Sequence, residues 1–262
     1  MPPERRPFRR VGNWDIVPIV LGGAISHATD PGRFRTGLLK RCWIELKRFA
    51  APHVVNVGLS QISGLDHVQV EGGIIRQSPL VLCALATLLG CETIFEFGTY
   101  RGETTWLLAH NLPQARVYTL DLNGPEAIHS ARLELTDLDE YFREWDRGAR
   151  FRDTREAARI TRLVGDSATF DFSPYRGAID LVYVDASHSY SYVKSDTEAA
   201  LTMLSTSGTI VWDDYTHYSG IYAYLNQLAQ RLDRPIYHLL GTRLAVYSRR
   251  DLVRLEPGLT GE

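Results

Sequence analysis

Between residues 79 and 250 short apolar runs alternate with helix-length amphipathic segments. "PLVLCALATLLG" reads as a buried helix closed by Gly90. Five β-rich runs follow, at Thr93–Phe97, Arg116–Leu120, Ile160–Val164, Asp180–Val184 and Thr209–Trp212. Most are separated by enough chain for a helix, the signature of βαβ units and a parallel sheet. In residues 126–146, Ile128, Leu135, Leu138, Phe142 and Trp145 recur at helical spacing, predicting a helix in a long second-to-third strand connection. "GIYAYLNQLAQRL" carries Ile221, Leu225, Leu228 and Leu232 on one helical face, and "PIYHLLGTRLAVYS" reads as an antiparallel hairpin around Gly241 and Thr242. The prediction is an α/β, doubly wound and mostly parallel sheet over residues 76–262. Residues 1–75 form an N-terminal helical or irregular extension, a lid or a substrate or dimer element. Within it, residues 34–50 have a loosely amphipathic helical pattern, and "HVVNVGL" is strand-like without an assigned place.

Composition narrows the class. The 262 residues are 44% hydrophobic and 23% charged, values of an ordinary globular protein. A formal net charge of -2 argues against a nucleic-acid partner. The first fifty residues do hold ten Lys/Arg against four acids, a local bias compatible with homo-oligomer contacts. No apolar run reaches the roughly 20 residues that span a bilayer. Cys42, Cys83 and Cys91 show no metal-ligand spacing and cannot all pair, so a cytoplasmic setting is expected.

The chemistry concentrates in "IFEFGTYRGETTWLLAHNLPQARVYTLDL", a strand, a glycine turn, a helix and a second strand. Gly98 and Gly102 let backbone approach a ligand, and the helix N-terminus offers unpaired N–H groups. Asp121 ends the second strand, where a carboxylate accepts from both hydroxyls of a ribose. The spacing is G-x-x-x-G rather than the dinucleotide G-x-G-x-x-G, and Glu96 precedes the first glycine. An acid there repels a pyrophosphate but receives an ammonium group. An NAD-dependent reductase is thereby disfavoured, and a ligand with a ribose, an amino group and one carboxylate, such as S-adenosylmethionine, fits better.

"EFGTYRG", "YTLDL", "LVGDSATFDF", "LVYVDASHSYSYVKSDTEAAL" and "GTIVWDDY" stand in the order and spacing of class I S-adenosylmethionine-dependent methyltransferases. Over residues 75 to 250 the chain resembles the family that includes macrocin-type sugar O-methyltransferases, and is similar to the catechol O-methyltransferase group. The resemblance implies a seven-stranded Rossmann-like sheet. It implies that Glu96, Gly98 and Gly102 line the methionine end of the cofactor, with Thr104 near its carboxylate. It places Asp121 on the ribose and Asp166 and Ser167 at the adenine edge; capping a short helix is the alternative for the last two.

Asp185, Asp213 and Asp214 follow the fourth and fifth strand runs, where neighbouring strand ends bring acids together. Carboxylates so placed repel unless a proton, cation or amine intervenes, and oxygen donors favour Mg²⁺. The pattern is similar to metal-dependent O-methyltransferases, with Asp185 also beside the cofactor. Asp214 stands where the catechol group has Asn, and His188 stands where that group carries a lysine base. His188 is the candidate general base, with Asp185 and Asp213 supporting catalysis, and His217 is a second candidate. Trp14, Phe34, Trp43, Tyr141 and Trp145 are candidate stacking surfaces for a ring. The expected function is methyl transfer to a hydroxyl of a small molecule. The alternatives are metal-independent N- or C-methylation, or a non-catalytic cofactor-binding or partner protein.

Overall fold

The computed structural model describes residues 52–71, 77–122 and 146–253, with isolated positions at 124, 127, 130–133 and 135. The helical pattern of residues 34–50, most of that of residues 126–146, and the five aromatic residues named above lie outside the described residues.

Among the described residues, eight strands form one sheet. They are β1 (Val55–Val57), β2 (Thr93–Phe97), β3 (Arg116–Asp121), β4 (Ile160–Val164), β5 (Ile179–Val184), β6 (Leu204–Trp212), β7 (Tyr237–Leu239) and β8 (Ala245–Ser248), in the spatial order β1-β7-β8-β6-β5-β2-β3-β4. Only β8 runs antiparallel to its neighbours. The expected count was seven. The eighth strand is β1, supplied by the strand-like "HVVNVGL" segment, which pairs in parallel with β7 at the sheet edge. Asn226 fixes its entry, accepting from the backbone N–H of His53 and Val54. The extension thus contributes to the sheet itself.

Side-chain alternation divides the core into two layers. Ile94, Leu181, Tyr183 and Val211 face the helices α1 (Gln77–Leu88) and α2 (Glu103–Asn111), packing with Leu82, Leu85, Leu107 and Leu108. Phe95, Phe97, Val182, Val184 and Trp212 face the helices α3 (Tyr190–Met203) and α4 (Ser219–Leu228), packing with Val193, Met203, Ile221 and Leu225. Strands buried on both faces need continuous apolar runs, which is why these segments stand out in the sequence.

The chain runs from β2 outward to β3 and β4, then returns to β5 and continues outward through β6 on the other side. The loops after β2 and β5 therefore diverge. This is the switch point where open α/β sheets place ligands, beyond the carboxyl ends of the strands.

Glu96 has a role in this architecture. On β2 it faces α2, is fully buried, and accepts hydrogen bonds from the Thr105 hydroxyl and, at 2.7 Å, from Thr119 Oγ1. Thr99 Oγ1 lies 2.7 Å from Thr119 Oγ1, so the network braces the glycine turn from behind. Burial pushes the Glu96 carboxyl up to about 7, against the two threonine hydroxyls that pull it down. Its pKa is higher folded than unfolded, so its contribution to stability is fully present below about 4.5 and is lost as pH rises through about 7. Glu96→Gln should flatten that decline and stabilise the protein by about 1–3 kcal/mol near about pH 8. Urea unfolding at successive pH values checks it; a variant with the wild-type slope removes Glu96 as the cause.

Candidate active site

A cavity of about 420 Å³ opens at the switch point. Its lining includes Gly98, Asp121, Asp166, Ser167, Asp185, His188 and Asp214, seven of the residues singled out in the sequence. Its size is in the ordinary range of small-molecule sites. Two non-glycine residues among those described have positive φ, Tyr100 at 45° and Asp214 at 57°, and both line the cavity. Such strain tends to collect at functional sites.

The turn after β2 is shaped around one carboxylate. Asp121 Oδ2 accepts from the N–H of Thr99 at 3.1 Å and of Tyr100 at 2.8 Å, and Oδ1 accepts from Leu122 N–H at 2.8 Å. Arg147 Nη1 lies 3.5 Å from the same group, and the guanidinium covers the Tyr100 ring at 5.5 Å. The segment carrying Arg147 docks on the turn through Gly148 N–H to Tyr100 O and Arg150 N–H to Arg101 O. Phe151 from this segment fills the space beside Gly102, which caps α2 and lies outside the cavity lining. Thr104, in the first turn of α2, is also outside the lining, and Glu96 lies behind the turn.

At the opposite end, Asp166 Oδ1 accepts from Ala168 N–H at 2.9 Å and from the Tyr192 hydroxyl at 3.0 Å, while Oδ2 accepts from Arg132 N–H at 2.7 Å. The segment after Asp166 is a turn rather than the short helix of the capping alternative, and the carboxylate that holds this turn also borders the cavity.

The second acid cluster lies below His188. The His188 Nε2 is 3.1 Å from Asp214 Oδ2, and its ring stacks on Tyr218 at 3.9 Å between centroids. Burial raises Asp214, but the His188 hydrogen bond and charge, with Arg243, outweigh it and hold the carboxyl below its usual range. Burial, then the neighbouring acids Asp213 and Asp214, push Asp185 well above that range. Asp213 is raised by burial and then by Asp214, with Arg243 opposing. These directions leave Asp214 as the anion facing the imidazole. His217, the second candidate base, is exposed, bonded to Thr216 and outside the lining.

Asp213 does not line this cavity. Its Oδ1 accepts from Asp214 N–H at 2.7 Å; its Oδ2 accepts from the Tyr183 hydroxyl and from Arg243 Nη2, both at 3.0 Å. Arg243 Nη1 approaches Asp214 Oδ1 to 2.7 Å, an ion pair off the hydrogen-bond direction. The Asp185, Asp213 and Asp214 set expected for Mg²⁺ thus does not fit an ion as arranged, since both carboxylates after β6 face a guanidinium. Asp185, His188 and Asp214 do offer donor atoms within 4.8 Å of one another, but His188 and Asp214 are already bonded together.

Arg147, Arg243, Tyr183, Tyr192 and Tyr218 were not singled out for the site from sequence. Arg243 had a signal: β6 and β8 pair antiparallel with Trp212 opposite Ala245, and continuing that register sets Asp214 opposite Arg243. Arg147 had none, because nothing in the long β3–β4 connection fixes where it returns to the sheet.

Residues 95–215 match the family model described as a methyltransferase domain. Over that stretch the chain is similar to methyltransferase domains. That stretch runs from β2 past β6 and includes every cavity residue named above except Arg243 and Tyr218. No curated protein matches the chain. Among solved structures, the chain is similar at 20% identity and a TM-score of 0.45 to the O-methyltransferase TomG from Streptomyces achromogenes, involved in tomaymycin synthesis and solved with SAM. That match covers 66% of this chain and 78% of the other. A methyltransferase from Geobacter sulfurreducens is similar at 18% identity and a TM-score of 0.46, over 68% of this chain and 80% of that one. An SAH-bound Podospora anserina methyltransferase is similar at 16% identity and a TM-score of 0.43, over 64% and 76%. Among the described residues, no helix is long and apolar enough to cross a membrane.

Proposed function

We propose that the protein transfers a methyl group from S-adenosylmethionine to a hydroxyl of a small molecule, with His188 taking the hydroxyl proton. The observation that carries this reading is the charge of the cavity wall at the switch point. Four carboxyl groups, Asp121, Asp166, Asp185 and Asp214, line it against two arginines, Arg147 paired with Asp121 and Arg243 with Asp214. A wall of that kind suits a cationic ligand with ribose hydroxyls and disfavours a pyrophosphate. Asp121 would hold the ribose, Asp166 and Ser167 the adenine edge, and Gly98 and Asp185 the methionine end. Bound there, S-adenosylmethionine would supply a methyl group activated on a sulfonium, with a neutral thioether as the leaving group. The protein's share is to align the acceptor, exclude water and receive the proton. His188 is placed for the last task. The neutral tautomer that donates from Nε2 to Asp214 carries its lone pair on Nδ1, and the Asp214 carboxylate stabilises the imidazolium that forms.

Calorimetry with S-adenosylhomocysteine tests the reading. One site per chain is expected, with no matching heat from NAD, and Asp121→Ala should weaken binding by roughly tenfold or more, as loss of charge-assisted hydrogen bonds implies. Unchanged binding in that variant sinks the ribose assignment. Binding without transfer to any hydroxyl acceptor would favour a non-catalytic module, and transfer to nitrogen or carbon acceptors alone would favour the other enzyme class. A metal-assisted form is the second reading, favoured by the proximity of Asp185, His188 and Asp214 donor atoms. A Mn²⁺ titration decides it.

A further inference from the structure

We infer that Arg243 is the resident cation of the acid cluster, a fixed guanidinium occupying the place between Asp213 and Asp214 that a divalent metal would need. The two halves of its planar fork address different carboxylates. Nη2 is 3.0 Å from Asp213 Oδ2 and Nη1 is 2.7 Å from Asp214 Oδ1. The first is a hydrogen bond and the second a charge contact off the hydrogen-bond direction, and a guanidinium spreads its charge over both where an ammonium is a single point.

The fold builds this contact. The β6–β8 register sets residue 243 opposite residue 214, and the Arg243 main chain is held on both sides of that register. Its N–H donates to Ser78 Oγ of α1 at 3.2 Å, and its carbonyl accepts from Tyr215 N–H at 3.0 Å. Asp214 meets it from a backbone with φ of 57°, in the left-handed region. Around the arginine the carboxylate oxygens are already engaged. Asp213 also accepts from Tyr183 and from Asp214 N–H, and the far oxygen of Asp214 faces His188. A divalent ion ligated by Asp213 and Asp214 would have to expel the arginine or sit beside a like charge. The carboxylates that a metal would otherwise neutralise are instead neutralised by a side chain that cannot lose its proton.

This inference deepens the methyl-transfer reading, because it leaves His188 as the group that meets the acceptor, but its test does not depend on that reading. Wild type, Arg243→Met, Arg243→Gln and Arg243→Lys, stripped with chelator, are titrated with Mn²⁺ alone, and free ion is followed by electron paramagnetic resonance. Wild type and Arg243→Lys should bind no ion at the cluster. Arg243→Met and Arg243→Gln should each take up one, and adding Asp213→Asn should weaken that uptake at least about tenfold. Circular dichroism identifies the folded variants, and two neutral replacements keep the test standing if one misfolds. Wild type binding one Mn²⁺ that Asp185→Asn or Asp213→Asn abolishes would overturn the inference. So would a folded neutral variant that binds no more than wild type. S-adenosylhomocysteine calorimetry on the same samples reports the methyl-donor pocket separately.

Discussion

Gly98→Ala is expected to destabilise the protein by about 3 kcal/mol or more and to lower Tm by roughly 6–12 °C. A Cβ built at Gly98 would lie 2.2 Å from the Asp185 carbonyl oxygen, 2.8 Å from its carbon and 2.9 Å from Ala186 Cα. All three are backbone atoms, so no flexible side chain can give way. The closeness has a cause in the sheet. Gly98 N–H still bonds Leu120 O and Asp185 N–H still bonds Phe97 O, so the ladders on both sides of β2 run one residue past its end. The chain must then turn at φ of 92° directly against its neighbour. Moving either strand end would displace Asp121 and Asp185 together, so binding of S-adenosylhomocysteine should fall by about 100-fold with the stability loss.

Gly90→Ala separates the two contributions. Gly90 has φ of 64°, but an added Cβ there meets nothing within 4 Å. It should cost only the left-handed strain, about 1–2 kcal/mol. Thermal melts of the two variants side by side measure the difference. Equal losses would show that conformational strain, and not the approach of β2 to β5, makes glycine necessary at 98.

Burial of the central strands on both faces decides how much of the fold could be read from the chain. Doubly buried strands are nearly continuous apolar runs, so β2 to β6 were legible to within a residue at most ends. The exception is the start of β6, which begins at Leu204 rather than Thr209 because the polar "STSG" still pairs beside β5. The eighth strand was legible as β-like but not as part of this sheet, because its partner β7 lies roughly 180 residues away and only tertiary structure supplies that pairing. Acids at strand ends were legible because the switch point collects whatever follows β2, β3 and β5. Their individual roles were less so. Glu96 was expected at the ligand, yet period-two alternation points it at α2, where Thr105 and Thr119 take it up. Asp213 and Asp214 are adjacent in sequence, but Asp213 turns to Tyr183 while Asp214, in left-handed backbone, turns to His188. No spacing rule distinguishes those two outcomes.

His188→Gln is expected to lower the rate of methyl transfer by about 10²–10⁴-fold, the usual worth of a positioned general base. Its S-adenosylhomocysteine affinity should stay within about threefold of wild type, since the imidazole acts on the acceptor rather than on the donor. The expectation follows from how the ring is held. Tyr218 stacks on it with only 8° between planes, and Asp214 fixes Nε2, leaving the ring little freedom to rotate. The loop that carries it is fixed too, because Gly220 at the start of α4 packs against the His188 carbonyl so closely that a Cβ would approach it to 2.6 Å. Asp214→Asn gives the complementary measurement. It keeps an oxygen for the imidazole N–H but removes the charge that stabilises the imidazolium, so kcat should fall while KM for the acceptor changes little. Single-turnover formation of S-adenosylhomocysteine with a free-hydroxyl acceptor that the wild type methylates reads both variants. If His188→Gln loses less than about tenfold, the proton leaves by another route and the imidazole is a wall of the cavity rather than its base. If Asp214→Asn loses as much as His188→Gln and the double variant loses no more than either, the two side chains act as one unit, as their 3.1 Å contact requires.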